Sequence, residues 1–101
     1  MNIKTVKDGE KLTISVEGNL NTSNAVEFDA EVKNNIEGAK ELVFDFAGVD
    51  YMASAGLRVL MSANKTMKKQ GGKIKIINAA KPVMDVFAIT GVADVLDITP
   101  A

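Results

Sequence analysis

Cysteine, histidine and tryptophan are all missing from this 101-residue chain. Without cysteine there is no disulfide framework, no thiolate chemistry and no Cys-based metal site. Without histidine the usual general base near neutral pH is gone, and with it the commonest nitrogen ligand for a metal. Aromatics are scarce: four Phe and one Tyr. None interleaves with a Lys/Arg run, so no stacking platform for nucleic acid is expected. Neither sign of charge dominates, since twelve basic against thirteen acidic residues leave −1, a balance that argues against a nucleic-acid partner. No apolar run approaches the roughly 18–20 residues of a membrane span. Met1 to Asp8 is charged and alternating, with no signal-peptide core. These absences lead to the expectation of a cytoplasmic domain. The length fits one domain over residues 1–101, because compact domains most often run to roughly 100–150 residues. At that size folding can bury roughly 65% of the unfolded surface, enough for one modest core.

What is present is a succession of short apolar patterns. Ile3 to Val6 and Leu12 to Val16 alternate apolar with polar, as half-buried strands do. Asp8-Gly9 between them marks a turn slightly longer than the tightest hairpin. Gly18 to Asn24 is a polar loop offering several N-caps. Ala25, Phe28, Val32 and Ile36 then recur at helical spacing until Gly38. Leu42-Val43-Phe44 is apolar on both faces, which suits a strand covered by helices on each side. A helix from about Ala55 to Gln70 stops at Gly71-Gly72, and Ile74 to Ile77 forms a strand. Val83 to Ile89, started by Pro82 and closed by Gly91, is a short helix, and Val95 to Ile98 a last strand. The expected fold is α/β: one small mixed sheet of about five strands, its N-terminal pair antiparallel and the rest largely parallel, with about three helices and right-handed crossovers.

Most informative is the run Asp50-Tyr51-Met52-Ala53-Ser54-Ala55-Gly56-Leu57-Arg58-Val59-Leu60, where a hydroxyl flanked by small residues sits between strand and helix. Ser54 can cap the helix, accept a phosphate or act as a nucleophile. Capping would be worth about 0.5–2 kcal/mol relative to Ala, but does not explain why the surrounding residues are small. The nucleophile reading lacks support. Met52 replaces the first glycine of a G-x-S-x-G elbow, and no histidine exists to take the proton. A phosphate suits a helix N-terminus, with its free N–H groups and partial positive charge. Gly56 would let a kinase approach closely.

Stepping the following helix at roughly 100° per residue puts Val59, Leu60, Ala63 and Met67 on one core stripe, and Arg58, Ser62, Lys65 and Lys69 on the wet side. Leu57 and Met61 fall between. They are either covered by neighbouring loops or form an exposed apolar docking patch beside Ser54.

The run from Leu42 to Leu60, followed by Gly71-Gly72-Lys73-Ile74 and by Asn78 to Gly91, resembles the signature of STAS domains, and more narrowly of stand-alone bacterial anti-sigma factor antagonists. Gly18-Asn19-Leu20-Asn21 is similar to the family's loop before the first helix. The likeness spans nearly the whole chain. It implies a non-enzymatic interaction module with no catalytic residue, cofactor or metal. An unphosphorylated antagonist binds an anti-sigma factor that is also a serine kinase, and so releases a sigma factor. Phosphorylation of the family serine, which aligns with Ser54, breaks the complex, and a serine phosphatase restores it. The implied docking residues are Asn21, Thr22, Tyr51, Met52, Ala53, Ser54, Gly56, Leu57, Arg58 and Met61, with Asn78 to Val83 as a further loop. Three positions depart from the family pattern. Ala53 stands for an Asp, Ala55 for a second Ser, and Asn21 for an Asp. The usual final helix does not follow the last strand, which could leave apolar surface for a weak homodimer. The alternative is a STAS subunit of another assembly, a stress-signalling complex or a lipid-transport accessory, docking constitutively without a phospho-switch. Nucleotide binding lacks a G-x-x-x-x-G-K-[ST] loop. Asp45 and Asp50 could pair on a metal, but read more simply as strand-end and turn residues.

Overall fold

The computed structural model describes residues 1–101. The elements run β1 (Asn2–Asp8), β2 (Lys11–Leu20), α1 (Thr22–Asn35), β3 (Glu41–Met52), α2 (Ser54–Lys69), β4 (Lys73–Ala79), α3 (Lys81–Thr90), a 3-10 turn (Val92–Asp94) and β5 (Asp97–Pro100). They form one five-stranded sheet in the order β1-β2-β3-β4-β5. The β1–β2 pair is antiparallel and all later pairs are parallel, as the alternation of strand and helix patterns predicts. The first hairpin is tighter than expected. Pairing continues to Asp8↔Lys11, so only Gly9 and Glu10 turn, and the positive φ lies at Gly9, the sign pattern of a type II′ turn. The last strand starts later than expected, because Val92 to Asp94 first makes a 3-10 turn and leaves Val95 half exposed.

The expectation of helices on both sides of β3 is overturned. With strands added in one direction, right-handed crossovers place successive helices on the same face. Leu12, Ile14, Val16, Leu42, Phe44, Phe46, Ile74 and Ile76 point to that face and join the buried residues of α1, α2 and α3 in a single cluster of 26. Phe28 of α1 meets Phe44 and Phe46 edge-on, with ring centroids 5.5 and 6.3 Å away. Such pairs add about 0.5–1.5 kcal/mol beyond the area they bury. Val43 is buried but lies outside the cluster. It sits on the reverse face in the cross-strand row Val6, Thr13, Val43, Lys75, Asp97. The next row toward the hairpin alternates in charge, Asp8, Lys11, Glu41, Lys73. Opposite charges across strands favour one register. The reverse face is a polar sheet surface.

Two irregularities in β3 aim its far end. Between Asp45 and Gly48, β3 spends three steps where β2 spends two, and between Val49 and Tyr51 two where β2 spends one. Each extra residue is a bulge, which bends the strand and increases its twist. Phe46, Val49 and Met52 therefore all face the core although they are three apart. Asp45 pins the first bulge by accepting from the Ala47 N–H at 3.0 Å. The same oxygen accepts from Asn78 Nδ2 at 3.1 Å, and Asn78 is the one non-glycine residue with positive φ, at 60°. The metal-pair reading of Asp45 thus has a simpler occupant. Its carboxylate ties β3 to the kink in β4.

Candidate functional site

The β2 and β3 strands end together, with Asn19↔Tyr51 and Leu20↔Met52 in register. The ladder extends one step further, as the Ala53 N–H donates to Leu20 O at 2.8 Å. The chain then turns into α2. Ala53 is the N-cap, at φ −87° and ψ 167°, and no side chain caps the helix. Its carbonyl accepts from the N–H groups of Gly56 and Leu57 at 3.0 and 3.3 Å, which makes Ser54 the first helical residue. Ser54 is therefore not the cap that the sequence suggests. It is exposed, and no side-chain hydrogen bond of the molecule involves it. The hydroxyl has no base beside it and stands free at a helix end.

The neighbouring loop is held differently. Asn21 caps α1, its Oδ1 accepting from the Asn24 N–H at 2.9 Å. Asn24 Nδ2 in turn donates to Asn19 O at 2.6 Å. Asn21 and Thr22 are exposed beside the serine turn.

Of the ten expected docking residues, six are exposed, namely Asn21, Thr22, Tyr51, Ser54, Arg58 and Met61, and Ala53 is half-buried. Ser54, Arg58, Met61 and Lys65 follow one another along a single ridge of α2, at spacings of four, three and four. Three expected residues are absent from the surface. Met52 is 2% exposed and Leu57 7%, and both belong to the core. Gly56 is buried too, and a Cβ there would meet Met52 Cγ at 3.2 Å and Leu20 Cβ at 3.4 Å. Its small size lets α2 pack onto the strand ends, so it does not serve an approaching kinase. Leu57 is buried because α2 packs against the sheet as well as α1, and that wide contact seals the flank away from α1. Only Met61, 38% exposed, keeps the apolar-patch reading.

One surface residue escapes the sequence reading. Val26 is 73% exposed on α1 and lines a groove of about 390 Å³ with Thr22, Ala55, Arg58 and Ser62. Its signal was its place off the stripe of Ala25, Phe28, Val32 and Ile36. The largest cleft, about 470 Å³, lies at the other end of α2 among Lys68, Lys73, Lys75, Val95 and Leu96. There Glu41 faces Lys73 and Asp97 faces Lys75 across the strands, which partly neutralises it. It has no continuity with Ser54.

The model of the STAS domain family matches residues 2–101. The chain belongs to the STAS domain family. Over 99 residues it is 27% identical to an anti-sigma-B factor antagonist of Bacillus subtilis, covering 98% of this chain and 91% of that protein. The fold is that of a crystal structure of an anti-sigma factor antagonist from Mycobacterium paratuberculosis, with a TM-score of 0.88 at 17% identity over 99% of this chain and 86% of that one. The Bacillus cell fate determinant SpoIIAA in its phosphorylated form superposes with a TM-score of 0.76 at 15% identity, over 96% of this chain and 90% of that one. Within this STAS fold the serine turn, the loop before α1 and the loop after β4 occupy one end of the sheet. No helix of the protein is long and apolar enough to cross a membrane.

Proposed function

We propose that this STAS domain is an anti-sigma factor antagonist: a protein-interaction module that binds an anti-sigma factor with serine kinase activity and is switched by phosphorylation at Ser54. The observation that carries the reading is the free, exposed Ser54 hydroxyl at the head of the Arg58–Met61 ridge, beside exposed Tyr51, Asn21 and Thr22. An anti-sigma-B factor antagonist among the relatives supports it, as does the phosphorylated form of SpoIIAA among the similar folds. The physical logic is local. With no side-chain cap, the first-turn N–H groups and the positive end of α2 tolerate an anion at Ser54. That anion adds roughly −1.5 to −2 charges to a small apolar and cationic surface. Folding survives while the interface is lost, and a serine phosphatase would restore it.

The test is calorimetric titration with an anti-sigma factor of the serine-kinase type from the same organism. Wild type should bind, and Ser54→Asp should lose at least tenfold in affinity while melting normally. Mass spectrometry after incubation with that kinase and ATP should place one phosphate on Ser54. Tight binding without any phosphate transfer would favour the second reading, a constitutive STAS subunit of another assembly. Ala53 and Asn21, which stand where the family pattern has Asp, are the residues that favour it.

A further inference from the structure

We infer that a phosphate on Ser54 is bound by Arg58 one turn along α2, so that the modification withdraws a cation from the docking ridge as well as adding an anion to it. The inference rests on Ser54 being the modified residue.

Arg58 is exposed, and neither ion pair of the molecule includes it. Its groove contains one carboxylate, Asp29, and that group is already taken by Lys33 at 2.9 Å. Ser54 and Arg58 stand four residues apart in one helix, where side chains are neighbours. An anion N-terminal to a cation is the favoured order of such a pair. A guanidinium presents a rigid planar pair of N–H donors to two phosphate oxygens, a geometry that the compact ammonium of a lysine does not fix.

The other charges near the turn do not compete. Asp50 lies on β3 and is itself an anion. The loop from Asn19 to Thr22 has no charge, and Lys81 at the start of α3 is paired with Asp85 at 3.3 Å. Lys65 is eleven residues beyond Ser54, roughly 16 Å along the helix axis. Arg58 is the cation within reach. A partner that offers a carboxylate to Arg58 would therefore lose its counter-charge at the moment the phosphate arrives.

The experiment uses the full chain with phosphoserine placed at position 54 by codon reassignment, so no kinase is needed. The second ionisation of the phosphate is followed by ³¹P NMR. A nearby cation favours the dianion, so the midpoint in wild type should lie about half a unit below that of Arg58→Gln, with Arg58→Lys between them. About 1 M salt should close most of the gap. In wild type alone, phosphorylation should also shift the Arg58 Nε resonance. Equal midpoints in wild type and Arg58→Gln overturn the pair while leaving the switch intact. Failure of any kinase to modify Ser54 overturns the switch but not a measured difference in midpoint.

Discussion

Ala53 governs how α2 begins, and it does so without a side chain that can cap. Its extended backbone, at φ −87° and ψ 167°, is already that of a capping residue. A polar side chain there should find an N–H waiting. Ala53→Asp is therefore expected to stabilise the fold by about 0.5–2 kcal/mol, read as a rise of several degrees in Tm. Ser54→Ala, which removes a hydroxyl without partners, should leave Tm within about 1 °C. Asn21→Ala removes a real cap and should cost about 0.5–2 kcal/mol. Thermal unfolding of the three variants checks all of this, and a Ser54→Ala loss as large as that of Asn21→Ala would sink the assignment of caps. At this scale the sequence announced the capping chemistry in the loop before α1, whereas the cap it suggested at Ser54 is not made. It did not announce which residue would fall at the boundary, because that depends on where the β2–β3 ladder stops.

The amphipathic stripe of α2 was legible from spacing alone, but the place of Leu57 was not. A projection of one helix knows nothing of its neighbours, and α2 contacts both α1 and the sheet, which widens the face it must bury. Leu57 and Met61 consequently separate. Leu57→Ala should cost about 2–5 kcal/mol, as a large-to-small change in a core does. Met61→Lys should leave the melting temperature nearly unchanged and weaken partner binding instead. Circular dichroism melts alongside calorimetry would show the split, and a joint loss of stability would mean that Met61 also belongs to the core. In β3 the alternation of Leu42, Phe44 and Phe46 reads plainly as a strand. Val49 and Met52 break the period of two, and their burial is explained only by the bulges. The second bulge has no local signature, and the first is marked only by Asp45, whose carboxylate takes the Ala47 N–H two residues on.

Across the whole molecule the single antiparallel pair and the parallel pairing of the later strands followed from the order of patterns along the chain, while the strand order came from the structure. So did the one-sided burial. Leu42-Val43-Phe44 looks apolar on both faces, yet Val43 lies on the reverse face, buried but outside the core cluster. Central β2 and β3 share the longest pairing in the sheet, whereas β5 has four residues at an edge and a register shift against β4. Native-state hydrogen exchange should therefore find the slowest amides in β2 and β3 and early opening at β5. Equal protection of β5 and β3 would contradict this ordering. The polar reverse face has a practical use. Because the chain contains no cysteine, Lys75→Cys on that face would be its only thiol. A fluorophore attached there would stand clear of both core and docking ridge, and its slowed tumbling would report each partner's arrival without taking part in it.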